Sequence, residues 1–438
     1  MKRINFKKLF CFISFLFILS CIIFYGTRFL KLYIENKKEI SKEVNYLVKT
    51  IKDNNESNKQ FKTINKQTYF VNNANNNYVE YSNILWRIVK INEDDTITLI
   101  TNSSVTSLAY GKDLDYNNSY VKKWLNTNNE DLTGVFENIL NKKDSYLVKT
   151  NTCTDIMDKL SNTPCSKIEN DSYVSLLSIQ DYINSGNKDS YLSNNEYYYL
   201  SNTNSKNKVW YINTDGEMNT NNGTDIIGIR PVITLKNNLE YVSGKGTKDN
   251  PYKIENDNGF FGSYVKIDNT IWRIYQVNDN EVRLMLDDYL KVNGTELTYI
   301  YSNRNSYHDD YLQGSIAYYL NNTFLNTLSI KDKIKEVSWS NGYYGSSSNY
   351  DYKYAQNLKI NTKVALISIG DIIPNTTLSN FTTLTGVTKK GSMIYSIKEN
   401  KKTTTKSIQS ESKIVPAISI DKSLLKGNGT KDSPYEVE

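Results

Sequence analysis

Asn213-Thr214-Asp215-Gly216-Glu217-Met218-Asn219 carries side-chain oxygens at alternate positions, an arrangement that a calcium loop can use. No bidentate acid falls at the spacing of an EF-hand, and an Asp-Gly hairpin tip accounts for the same residues. Calcium is therefore the one cofactor the residues leave open. The single histidine, His308, stands in NSYHDDYL, so neither H-E-x-x-H nor a paired-histidine zinc set exists. A Ser-His-Asp site would have to use that one residue, and a solvated loop histidine is the simpler reading. A glycosidase needs two carboxylates at fixed separation, which spacing cannot locate among 47 acidic residues. No Gly-rich loop leads into a basic helix position as in a P-loop. No catalytic residue and no metal ligand is assigned.

Cys153 and Cys165 lie in TCTDIMDKLSNTPCSK without a CxxC partner or a nearby histidine, which speaks against zinc. Either they close a short loop as a disulfide, worth about 3 kcal/mol for a loop of that size, or they remain two buried thiols. Tyr197, Tyr198 and Tyr199, with Trp210 and Arg230, form the candidate ligand-binding set, and Tyr343 and Tyr344 extend the aromatic surface. Rings of this kind stack on sugars, and a guanidinium holds an anion. Trp86 and Trp272 read instead as core, since each stands in an apolar strand, and a structural role is the competing reading for Arg87, Arg273 and Arg230 alike.

The elements that carry these residues occur twice. NYVEYSNILWRIVKINEDDTITL (77–99) is matched by SYVKIDNTIWRIYQVNDNEVRL (263–284), and VSLLSIQDYI (174–183) by VALISIGDII (364–373). GKGTKDNPYKIE (244–255) and GNGTKDSPYEVE (427–438) agree at eight of twelve positions. Three blocks in one order indicate tandem copies of one unit, at 67–255 and 256–438. Each copy opens with two β-rich runs around an Asn/Asp turn, a hairpin pattern. Helices are expected over 119–125 and 132–140 in the first copy and 311–320 in the second. The middle block reads as a strand entering a short helix, with Ser178 or Ser368 at its N-cap. Residues 226–235 close the first copy as a strand, whose Pro231 (Pro416 in the second) implies an edge or a bulge. The fold class is α+β: two strand-rich domains in tandem after an N-terminal transmembrane helix.

Trp86-Arg87, Ser119 with Trp124-Leu125-Asn126, Leu177-Ser178 with Asp181, and Gly228 with Arg230-Pro231 make an ordered pattern. It resembles an uncharacterised domain family of bacterial surface proteins, itself distantly similar to the C-type-lectin-like fold shared by formylglycine-generating enzymes. The second copy keeps Trp272-Arg273, Leu320-Asn321, Ile367-Ser368 with Asp371, and Pro416, but has Tyr319 for Trp124 and Val415 for Arg230. The resemblance implies a surface-displayed domain and a C-type-lectin-like fold, but no reaction. Formylglycine-generating activity does not carry over, because Cys153 and Cys165 lie mid-domain and have no counterpart in the second copy.

Residues 9–26 contain no charge, about 27 Å as a helix, and follow a basic tail at 1–8. A single-pass signal anchor is expected there, with a cytoplasmic N-terminus and the bulk extracellular. Lipidation at Cys21 and signal cleavage are the alternatives. From 27 to 66 a stalk is expected, with Leu30, Tyr33, Lys37, Ile40, Val44, Leu47 and Ile51 as a seam for weak self-association or for packing on lipid or on the chain's own domain. The charge is split: 1–66 holds 14 basic and 5 acidic residues, so the rest of a chain of net charge +6 is about −3, and a nucleic-acid footprint is absent. The expected function is a membrane-anchored extracellular binding or adhesion protein for polysaccharide or protein, with two copies raising apparent affinity. An envelope hydrolase using a carboxylate pair and a structural spacer are the alternatives.

Overall fold

The computed structural model describes residues 19–20, 23–31, 46–55, 60–126, 136–254, 259–303, 315–343, 359–373, 378–388 and 391–438. Residues 1–45 and 46–438 form separate units. In the first unit, 19–20 and 23–31 are helical. Arg28 and Lys31 lie on the second of these stretches. No helix among the described residues is long and apolar enough to cross a membrane. That finding overturns the transmembrane anchor expected at 9–26, and with it the single-pass placement. Residues 1–18, including Cys11, and Cys21 lie outside the described residues, as do His308 and Tyr344.

The second unit is strand-rich, with short helices at the sheet margins. Alternating β-formers give each half an opening hairpin: Tyr78–Tyr81 with Ile84–Ile91, and Tyr264–Ile267 with Thr270–Val277. Across the first sheet the order is Tyr252–Lys253, Tyr78–Tyr81, Ile84–Ile91, Ile97–Thr101, Val232–Leu235, Val174–Ser175. In the other half it is Tyr435–Val437, Tyr264–Ile267, Thr270–Val277, Glu281–Leu286, Pro416–Asp421, Val364–Leu366. In both sheets the first pair is parallel and the rest antiparallel. The register slips at the same place, between Ile88 and Lys90 and between Ile274 and Gln276.

A second sheet in each half repeats the match. Met218–Asn221, Lys208–Ile212, Tyr198–Asn204, Ile227–Ile229, Thr106–Leu108 corresponds to Thr403–Ser407, Met393–Ile397, Phe381–Gly386, Ser412–Lys413, Thr298–Tyr299. The third and fourth strands are parallel in each. The single closing strand expected at 226–235 is thus two strands in different sheets, with Arg230 and Pro231 at the crossing. Pro231 lacks an N–H to give to either ladder, so the chain changes sheets there.

Matching polar anchors join the helices to these sheets. Asn126, closing the helix Tyr120–Asn126, donates to Val174 O and accepts from Val174 N. Asn321 does the same with Val364. Ser178 caps Ile179–Asn184, accepting from Asp181 N at 3.0 Å. In the second copy a turn replaces that helix, and the bond runs from Ser368 N to the Asp371 carboxylate at 2.8 Å. Residues 136–139 of the helix expected at 132–140 form a 3-10 turn, and only 315–320 of the one expected at 311–320 are described.

The helix Leu47–Asn55 and the first strand of a hairpin, Phe61–Ile64 with Gln67–Phe70, precede residue 67 yet pack with the first core. Leu47 and Ile51, spaced to share a helix face, are 1 % and 0 % exposed, and Leu47 N donates to Leu239 O. Those two seam positions pack on the chain's own domain, one of the readings that stood beside self-association. The copies meet through buried bonds: Trp124 Nε1 to Gly370 O, 2.9 Å, and Ile373 N to Val105 O, 2.7 Å. Tyr197 N to Asn400 O and Thr403 N to Ile226 O extend the seam.

Candidate functional site

A groove of about 860 Å³ opens on the first copy. Its floor is the strand Ile84–Ile91 and the helix Ile179–Asn184; one wall is the added hairpin, the other the loop between Cys153 and Cys165. Antiparallel register sets Tyr69 opposite Lys90. Lys90 Nζ lies 2.7 Å from Asp181 Oδ1, with both side chains mostly buried, and the Tyr69 hydroxyl donates to the same oxygen at 2.9 Å. Burial and the Asp181 charge push the Tyr69 phenol far above its ordinary value, so it acts as a fixed donor. Asn65, Gln67, Asn92, Asn151, Asn170 and Gln180 supply amides to the lining, and Thr96 and Thr98 supply hydroxyls.

Cys153 and Cys165 are joined in a disulfide, with Cα atoms 5.8 Å apart. Inside that loop Asp155 accepts from Ser166 N, Ser166 Oγ and Lys167 N. Burial opposes the charge, but those hydrogen bonds outweigh it and hold the carboxyl below its ordinary value. Cys153, Asp155 and Cys165 form the cluster of metal-type side chains found among the described residues, and both its sulfurs are spent in the disulfide. Cys153→Ser with Cys165→Ser is expected to remove about 3 kcal/mol of stability in the chain-entropy model. Urea unfolding measures this; an unchanged midpoint would mean the wall is ordered without the bond.

The second copy has the counterpart of this place, but it is shut. Asp371 stands for Asp181, Gln276 for Lys90 and Gly370 for Gln180. Only about 50 Å³ remains there, lined in part by Asn138 and Ile139 of the first copy. Burial pushes the Asp371 carboxyl up.

Of the candidate site residues singled out by sequence only the two cysteines line the groove, together with Ser178 and Asp181 of the repeated pattern. Tyr198 and Tyr199 are 0 % exposed, in the middle strand of a five-stranded sheet. Their hydroxyls donate inward to Leu192 O and Asp225 O. Trp210 is buried with Nε1 on Met157 O, and Tyr197 packs beside Tyr211. Arg230, 1 % exposed, donates to Thr101 O and Leu192 O and lies over the Tyr198 ring. Tyr198, Tyr199, Trp210 and Arg230 therefore offer no exposed aromatic surface, and of the described tyrosines in the set only Tyr197 and Tyr343 are half-buried. Tyr343 is half-buried and bridges to Gly386. Trp86 and Trp272 are both 0 % exposed. Arg87 and Arg273 stack on the matching rings of Tyr78 and Tyr264 at 3.9 and 4.0 Å. Arg87 also holds Asn77 Oδ1, and burial draws its pKa down to about 10.

Asn213 Oδ1 accepts from the amides of Asp215 and Glu217, so the oxygen offered to calcium closes the hairpin turn instead. Sequence reasoning missed Tyr69, Lys90, Gln180 and Asn184. Their signal was present as disagreement between otherwise matching blocks: Lys90 against Gln276, Gln180 against Gly370. No family model matches the chain, and no curated protein and no solved structure proved similar to it.

Proposed function

We propose that the chain is a non-catalytic binding protein whose first copy takes a neutral, hydroxyl-rich glycan in the groove. One observation carries the reading: an open groove of about 860 Å³ lined by side-chain amides and hydroxyls, with its central Lys90 and Asp181 already paired. Sites that orient a ligand by a few fixed polar groups have this character. The lining gives no net field suited to a polyanion, since Glu93, Asp94 and Asp181 offset Lys90 and Lys149. Hydrolysis needs one carboxyl to give a proton and another to attack or activate water. Each acid in this lining has a structural partner: Asp181 has Lys90 and Tyr69, Glu93 has Lys66, and Asp94 has Thr96. The disulfide suits an oxidising compartment.

The covered counterpart in the second copy implies one ligand per chain, so the avidity expected from two copies is not part of this proposal. The test is binding of the full chain to an array of neutral and acidic oligosaccharides, with calorimetry for stoichiometry. Neutral glycans bound at one site per chain, with no cleavage products, are expected. Binding to no glycan would refute the reading, and cleavage of one would move it to the hydrolase.

A further inference from the structure

We infer that Gln180, together with the Lys90–Asp181 pair, is the specificity-determining cluster of the groove, reading neighbouring hydroxyls on a neutral sugar ring. This rests on the glycan reading above and adds the chemistry by which the ligand is chosen. Gln180 is 6 % exposed, and among the described residues its Nε2 donates only to the Met157 sulfur and its Oε1 has no partner. A buried amide oxygen left unpaired is costly, and turning the Gln180 amide toward the groove it lines lets an arriving donor relieve it. Asp181 receives Lys90 and Tyr69 on one oxygen, Oδ1, which leaves Oδ2 without a partner among the described residues. Two acceptors on consecutive residues of one helical turn, beside an ammonium, match a ring that offers hydroxyls as donors and acceptors.

The second copy shows what this geometry looks like when unused. It keeps the acid, but Asp371 Oδ2 is consumed by Ser368 N. Gly370 has no side chain where Gln180 stands, and its carbonyl takes the Trp124 indole. Gln276 replaces the ammonium. The strands, slips and anchors that build the fold are shared by both halves, while the groove cluster is among the places where they differ. The acceptors also decide against anions: a ligand carboxylate or phosphate would face Gln180 Oε1 and Asp181 Oδ2 with no donor for either. A cation gains little, because Lys90 already balances Asp181.

The experiment is calorimetric titration of the full chain with neutral hexaoses of glucose, mannose, galactose and N-acetylglucosamine, and with oligogalacturonate as the acidic control. Gln180→Met is expected to weaken binding of the preferred neutral hexaose about tenfold or more. Lys90→Met is expected to do the same, while Gln276→Met in the second copy stays within twofold of the parent. Melting curves identify which variants fold, and Gln180→Leu stands in if Gln180→Met does not. If the parent binds a neutral hexaose and the Gln180 variant matches it within twofold, this inference is overturned while the glycan reading survives. A preference for oligogalacturonate also overturns it. If the parent binds no glycan, both fall together.

Discussion

Trp86→Ala and Trp272→Ala are each expected to cost about 3–5 kcal/mol, the range for truncating a fully buried tryptophan. Both side chains are 0 % exposed and occupy the third position of the W-R-containing strands' pairing with the opening strand: Trp86 faces Val79, and Trp272 faces Val265. Each packs near a phenylalanine from the helical segment of its own half, Phe136 at 6.2 Å and Phe324 at 6.5 Å between ring centroids. The indole donors differ, Trp86 giving to Tyr81 O and Trp272 to the Thr270 hydroxyl, so the two costs need not be equal. Buried bonds such as Trp124 to Gly370 couple the halves, so urea unfolding should show one transition that either variant shifts. Two separated transitions, each sensitive to one tryptophan, would mean that the copies unfold independently.

Arg230→Met is the second large effect, and it separates a structural arginine from a ligand-binding one. The substitution keeps apolar bulk but leaves Thr101 O and Leu192 O without their donors, at about 1–3 kcal/mol for each buried carbonyl. It also removes the cation from the Tyr198 ring. The second copy fills the same place with Val415, 0 % exposed, so a half built without this guanidinium has other means of satisfying its backbone. The expected result is a lowered unfolding midpoint with glycan affinity unchanged in the folded fraction. Full stability with lost binding would return Arg230 to the ligand site.

What the sequence made legible follows from the range over which each feature is set. The Trp-Arg-Ile hairpins, the Asn126 and Asn321 anchors and the order of blocks depend on local alternation or on comparing the copies, and both are visible in the chain. Whether Tyr198 and Tyr199 face solvent depends on which strands flank theirs, and nothing in a Tyr-Tyr-Tyr run encodes that it sits mid-sheet. The apolar run at 9–26 has the hydropathy of a spanning segment, but no helix among the described residues is long and apolar enough to cross a membrane. The groove was the least legible part, because it forms where Tyr69 meets Asp181, 112 positions apart, beneath a disulfide-closed wall.

Backbone hydrogen exchange of the full chain, with and without a saturating neutral hexaose, locates the ligand most directly. Slowed exchange is expected over 64–69, 148–153 and 178–184, with no change at 275–278 or 368–373. Protection centred on the second copy, or on the strand Tyr198–Asn204, would contradict a single open groove on the first.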